Sequence, residues 1–468
     1  MSSTRRNFLK LAGLGALAFP GLGKSGATVF QGLESSSAKA ALDTKSRPNV
    51  IFLLCDDLGY GDIGCYGQQK IKTPNLDRMA REGLRFTQAY AGTSVCAPTR
   101  CALMTGLHIG HAPIRANREL KPEGQEPLPA GTFTVAHLFK QAGYATAMFG
   151  KWGLGFVGSS GAPDKMGFDE FFGYNCQRQA HNYYPNHLWH NQERVALDGK
   201  TYSHDLIAGE MFTWVRAHAQ QPFFLYVPFT IPHTNLQVPD LGAYAHESWP
   251  EPMKKYAAMI TRMDATCGEL FTLLKELKLD EQTLVIFSSD QGADNPQVLQ
   301  LFQSNGPFRG GKRTMYEGGL RVPMLCRWPG HIPAGTTNAT QWAFYDFLPT
   351  CAALLGQPLP TNVKSDGLSV LPAMLEGKTI AREFLYWELH EGKFIQSVRV
   401  GNWKAVRNGP DKPLELYDLS RDNAEAHDVA AEHADLAQQL TALMQREHVP
   451  NPLWPDTPAG KRHGKNTS

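Results

Sequence analysis

Hydrophobic and polar positions follow two rhythms along this chain, and the change falls near residue 380. Before it, four short apolar runs stand out: Asn49–Cys55, Ala145–Phe149, Phe223–Phe229 and Thr283–Ser288. Each is rich in β-branched or aromatic residues, and three lack clean alternation, as strands buried on both faces of a mainly parallel sheet do. Helical patterns lie between them, for example at Asn75–Gly83, Thr134–Gly143, Met253–Leu277 and Ala343–Leu355. Strands alternating with helices predict an α/β domain over residues 46–378. Beyond it, Phe384–Leu389, Ser397–Val400, Trp403–Val406 and Leu414–Leu419 read as short alternating strands. Asn402, Asn408-Gly409-Pro410 and Asp422-Asn423 supply turns between them. Ala431–Glu447 then carries Leu436, Leu440, Leu443 and Met444 on one helical face. Residues 379–460 are therefore expected to form a small α+β subdomain, with an antiparallel sheet and a terminal helix, and residues 461–468 a disordered tail.

Ligands of open α/β sheets bind outside the carboxyl ends of the strands. Asp56 and Asp57 follow the first run, Gly150-Lys151 the second, His233 the third at short range, and Asp290 and Gln291 the fourth. Carboxylates, an amide, a lysine and a histidine are thus expected to gather at one edge. Asp56, Asp57, Asp290 and Gln291 offer hard oxygen donors without sulfur or imidazole, which suits Ca²⁺ or Mg²⁺ better than zinc.

Composition removes some classes of function. In 468 residues, 46 Lys and Arg face 44 Asp and Glu, so no bulk field exists to hold nucleic acid or an anionic membrane. The start of the chain is built differently from the rest. Arg5-Arg6-Asn7-Phe8-Leu9-Lys10 precedes an apolar run, Leu11 to Leu22, and a polar stretch leads to Ala38-Lys39-Ala40. This is the order of an export signal, here over residues 1–40, and the paired arginines point to the twin-arginine (Tat) machinery as a partner. The alternative is an amphipathic N-terminal helix. The run is too short for a permanent membrane anchor, so the mature protein is expected in the periplasm or outside the cell. None of the eight cysteines, at 55, 65, 96, 101, 176, 267, 326 and 351, forms a C-x-x-C pair, which argues against a zinc knuckle or redox motif and leaves disulfide pairing open.

The sharpest motif is Cys96-Ala97-Pro98-Thr99-Arg100, followed by Thr105-Gly106. It resembles the signature of the sulfatase family, C-x-P-S/T-R with T-G five residues on. Asp56-Asp57-Leu58-Gly59, Thr73-Pro74-Asn75-Leu76-Asp77, Gly150-Lys151-Trp152, Pro232-His233-Thr234 and Ser289-Asp290 resemble further blocks of the family. So do Arg309-Gly310-Gly311-Lys312, Glu317-Gly318-Gly319 and Arg321-Val322-Pro323, and the likeness runs roughly over residues 47–376. It implies an alkaline-phosphatase-like sandwich and hydrolysis of sulfate monoesters. It also implies conversion of Cys96 to formylglycine by a maturation enzyme, and one Ca²⁺ per chain held by Asp56, Asp57, Asp290, Gln291 and residue 96. A hydrated aldehyde offers two hydroxyls on one carbon. One attacks sulfur, and the other then expels sulfate by reforming the aldehyde. Pro98 in a first helical turn would put residue 96 at a helix N-terminus, which favours an anion. Arg100 lies one turn further and can bond the formylglycine, while Lys151, His233 and Lys312 resemble the family's sulfate-binding cations.

Two positions depart from the family pattern. Gln291 stands where Asn is usual, and Gly153 stands where a histidine often follows the lysine, as G-K-W-H. Another group must then protonate the leaving oxygen, with Lys312, His233 and His181 as candidates. His181 lies in Gln177-Arg178-Gln179-Ala180-His181-Asn182-Tyr183-Tyr184, a stretch without core periodicity that reads equally as a sugar-binding loop or a folded-in surface loop. His108 and His111 follow the signature and are candidates to line the pocket. A sulfated small molecule or carbohydrate is the expected substrate. A phosphodiesterase or phosphonate monoester hydrolase, and a non-catalytic binder of sulfated glycans, stay open as alternatives.

Overall fold

The structure, a computed structural model, describes residues 47–456. The expected export signal and the 461–468 tail lie outside the described residues.

Among the described residues, ten strands form one sheet. Its centre is five parallel strands, side by side in the order Thr283–Ser289, Asn49–Cys55, Phe223–Pro228, Ala145–Lys151 and Glu170–Tyr174. Asn49–Cys55 is buried along its whole length and alternates between two helical layers. Ile51, Leu53 and Cys55 face a cluster with Met259, Met263 and Leu270 of the long helix Glu251–Glu276. Phe52 points the other way, its ring 4.8 Å from Phe347 and 6.0 Å from Phe344. Burial on both faces explains the missing alternation, and each such side chain contributes about 1.5–3 kcal/mol.

The C-terminal strands Leu385–Leu389, Ile395–Val400, Trp403–Arg407 and Leu414–Asp418 form an antiparallel meander. One face takes Leu440, Leu443 and Met444 of the helix Ala434–Glu447. The other packs Leu385, Trp387 and Val406 against Tyr90, Val95, Met315 and Leu320 of the larger layer. Lys404 is fully buried here, 3.0 Å from Glu317 and 2.9 Å from Glu425. Glu317, one of the motif residues, therefore ties the two sheets together, with further bonds to Tyr90 and Arg321.

Candidate active site

Cys96 opens the helix Cys96–Thr105, with Pro98 in its first turn and the preceding Val95 extended at φ −146°, ψ 151°. Every residue of this helix is buried. The segment before it is held by the C-terminal sheet, through Thr93 Oγ1 donating to the Glu388 carbonyl at 2.7 Å and Trp387 Nε1 donating to the Ala91 carbonyl at 3.0 Å. The Cys96 side chain is 3% exposed, and its sulfur lies 3.5 Å from Asp56 Oδ1 and 3.4 Å from Gln291 Nε2. Burial pushes the thiol up to about 12, against the pull of Lys151 and Lys312. A thiol so held is protonated at neutral pH and a poor nucleophile.

Strand register brings the acidic groups to it. Cys55 pairs with Ser289 across parallel strands, so Asp56 and Asp290 emerge side by side. The Asp57 backbone N–H donates to Asp290 Oδ1 at 3.1 Å. Asp57 itself sits at φ 63°, a left-handed conformation that costs a non-glycine residue about 1–3 kcal/mol and recurs at functional sites. Lys151, at the end of its own strand, reaches Asp56 Oδ2 at 2.6 Å. Arg100, one turn beyond Cys96, donates to Asp290 Oδ2 and to the Lys151 carbonyl, each at 2.9 Å. Lys312 Nζ lies 2.7 Å from both oxygens of Asp57 and 3.0 Å from His233 Nε2. Its loop is set by close backbone approach: a Cβ on Gly311 would stand 2.4 Å from the Ala293 carbonyl oxygen, which accepts the Lys312 N–H at 3.2 Å.

Charge sorts these groups. Burial opposes ionisation of Asp56, but Lys151, His233 and Arg100 outweigh it and hold the carboxyl well below its usual range. Asp57 is lowered in the same way, by His233 and Lys312 against burial. Asp290 goes the other way: burial, then the charge of Asp56, raise it to about 7. Burial works against the charge on Lys312, yet Asp57 and its neighbours keep the ammonium charged beyond the ordinary range. Burial lowers His233.

The donor set fits a hard divalent cation. Three carboxylates converge, one of them reluctant to ionise, and Gln291 Oε1 is buried with no hydrogen-bond partner. Asp56, Asp57, Cys96 and His233 each present a donor atom, all within 4.8 Å of one another. The imidazole is engaged by Lys312 and the thiol is protonated, so oxygen donors remain for a cation. Three permanent cations already balance the three carboxylates, so a divalent ion leaves the site with surplus positive charge, matched to an anionic ester.

His181 and His108 part company. The His181 ring stacks on His233 at 3.9 Å, beside the cluster. Burial, reinforced by Lys151 and His233, lowers it to about 2, so it stays neutral and makes a poor proton donor. His108 and His111 touch no member of the cluster, a correction to the expectation that they line the pocket. They lie beyond the far end of the ten-residue Cys96 helix, about 15 Å long, where His108 is 3.3 Å from Glu447 and His111 2.9 Å from Asp366. Asn175 lies just before the stretch singled out in the sequence, and Gln177 opens it. Both are buried, and both atoms of each amide lack a partner.

A sheet edge that pairs buried carboxylates with cations beneath a helix N-terminus is the site of an enzyme acting on a tetrahedral anionic ester. The Sulfatase family description matches residues 48–357, and that of the N-sulphoglucosamine sulphohydrolase C-terminal region matches residues 308–449. The chain belongs to the sulfatase family and is a sulfuric ester hydrolase. It is 36% identical to human arylsulfatase A over 87% of this chain and 88% of that protein. It is 27% identical to the N-acetylgalactosamine-6-O-sulfatase of Bacteroides thetaiotaomicron over 90% of this chain and 97% of the relative. The crystal structure of Ps i-CgsB in complex with k-i-k-neocarrahexaose superposes with a TM-score of 0.77 at 30% identity, covering 86% of this chain and 92% of the other.

Proposed function

We propose that the chain is an exported, calcium-dependent sulfatase that uses formylglycine at position 96 on sulfated carbohydrates. The observation that carries this reading is the Cys96 sulfur at a buried helix N-terminus, 3.5 Å from Asp56 and ringed by Lys151, Lys312 and His233. That sulfur marks the place of the two hydroxyls of hydrated formylglycine. The unmodified thiol is the wrong chemistry there, being protonated and prone to leave a stable thiosulfate ester. Formylglycine would supply a nucleophile and a route to expel sulfate, and Asp56, Asp57, Asp290 and Gln291 would hold a Ca²⁺ that would supply Lewis-acid polarisation.

The chain's own residues do the rest. Arg100 fixes Asp290 and the Lys151 carbonyl, holding the acidic cluster in register. Lys151, Lys312 and the first helical turn bind the sulfate oxygens as charge moves onto the leaving group. The Lys312 ammonium, 3.0 Å from His233, is the protonated group left to serve the departing alcohol, and a cation that took up the Asp57 charge would loosen its hold on that proton. The overall change is ester plus water to alcohol plus sulfate plus a proton. The N-acetylgalactosamine-6-O-sulfatase relative and the neocarrahexaose-bound structure support carbohydrate substrates, and the Arg5-Arg6 signal supports twin-arginine export to the periplasm or beyond.

The test is expression with a formylglycine-generating enzyme, followed by matched aryl sulfates, phosphodiesters and phosphonates. Sulfates should be preferred, mass spectrometry should find an aldehyde at Cys96 and a thiol at Cys101, and Cys96→Ala should lose nearly all turnover. Full activity with an unmodified Cys96 defeats the reading.

A further inference from the structure

The segment from Asn175 to His181 carries an unusual load of unpaired polar atoms. Asn175 Nδ2 and Oδ1, Gln177 Nε2 and Oε1, and His181 Nε2 are all buried without a hydrogen-bond partner in the protein. Asn175 is 1% exposed and Gln177 7%. A buried amide left unpaired costs about 1–3 kcal/mol, so such groups are retained where something else satisfies them.

Their position is fixed by the sheet. Past the paired strand ends the two chains run on together, with the Gly153 N–H donating to the Asn175 carbonyl at 3.1 Å. Gly153 lies two residues beyond Lys151, whose ammonium is on Asp56. At the other end of the segment, His181 stacks on His233. Gln177 is thus bracketed by two groups that border the cation–carboxylate cluster. Its amide nitrogen lies 2.0 Å from where a Cβ on residue 153 would be, and Gly153 has φ 79°. A side chain at 153 and the Gln177 amide are mutually exclusive: the glycine makes room for the amide.

We propose that Gln177 is a specificity-determining residue that binds the alcohol half of the ester, its Nε2–H donating to one sugar hydroxyl and its Oε1 accepting from a neighbouring one. A carboxamide presents one donor and one acceptor side by side, which matches adjacent hydroxyls on a sugar ring. The substrate is then a sulfated sugar that keeps free hydroxyls beside the ester. This rests on the sulfatase reading.

The experiment uses the full, formylglycine-loaded enzyme and three kinds of substrate. They are the sulfated monosaccharide that the wild type cleaves best, its analogue lacking the neighbouring hydroxyls, and an activated aryl sulfate. Gln177→Met keeps the volume beside Gly153 and removes both hydrogen bonds. It should lower kcat/KM about 10- to 100-fold on the hydroxyl-bearing sugar, and hardly at all on the other two. Gly153→Ala, which drives the amide from its place without altering it, should reproduce that selective loss. Gln177→Met behaving as wild type on all three substrates, or losing equally on all three, overturns the proposal. So does a wild type that cleaves aryl sulfates but no sugar sulfate. A matured wild type inert on every sulfate instead sinks the sulfatase reading, and the proposal with it.

Discussion

On the calcium reading, metal binding should release a proton, with Asp290 as its source. Burial and the neighbouring Asp56 charge raise the Asp290 carboxyl to about 7 in the metal-free site. More of the protein then carries that proton at pH 6 than at pH 8. A carboxylate ligand must be ionised, so Ca²⁺ binding should expel more protons at pH 6 than at pH 8. Below pH 7 the affinity should fall towards tenfold per pH unit, about 1.4 kcal/mol each. The sign for stability follows from the same shift. A raised carboxyl pKa means that the fold holds the proton more tightly than the unfolded chain. The Asp290 contribution to metal-free stability therefore declines as pH rises from about 4 to about 7, and bound Ca²⁺ removes that decline. Titration calorimetry in buffers of different ionisation enthalpy counts the protons directly. Asp290→Asn should weaken binding and bring proton release close to zero at both pH values. Equal proton release by the wild type at pH 6 and pH 8, or release unchanged in Asp290→Asn, refutes the assignment.

Gln291→Asn should keep most of the metal affinity and Gln291→Leu should lose it, as measured by metal analysis after dialysis, because only the amide offers an oxygen donor. His181→Ala should leave the dependence of rate on leaving-group pKa unchanged across a series of aryl sulfates, since its ring is held neutral, whereas Lys312→Ala should steepen it. Lys404→Met should destabilise the fold by about 3–5 kcal/mol in urea unfolding, because it strands Glu317 and Glu425 without their buried partner.

The strands that carry the site were legible because burial on both faces writes itself as unbroken apolar runs. Asn49–Cys55 has the expected bounds, and Ala145–Phe149 extends only to Lys151. The Cys96 helix was legible through Pro98 and its good helix formers. The helix Ser203–Ala217 carries the same kind of signal, with Ile207, Ala208, Met211, Trp214 and Val215 buried at helical spacing. The partners of His108 were invisible. Glu447 lies 339 residues away, and nothing local in the signature says that the chain turns from the pocket there. Gln177 was legible only as part of a candidate sugar-binding stretch, because its place against Gly153 joins two segments 24 residues apart in sequence.

The support beneath Cys96 also sets a clock. Thr93 and Glu388 are 295 residues apart in sequence, and Leu385, Trp387 and Val406 of the same distant sheet share the apolar cluster that covers Val95. At about 5–20 residues per second, a ribosome needs about 15–60 s between making the first partner and making the second. Throughout that interval the segment around Cys96 has no C-terminal meander to close against. On the formylglycine reading, an enzyme modifying Cys96 would gain its access from the order of synthesis, and the meander that later covers the segment would end it.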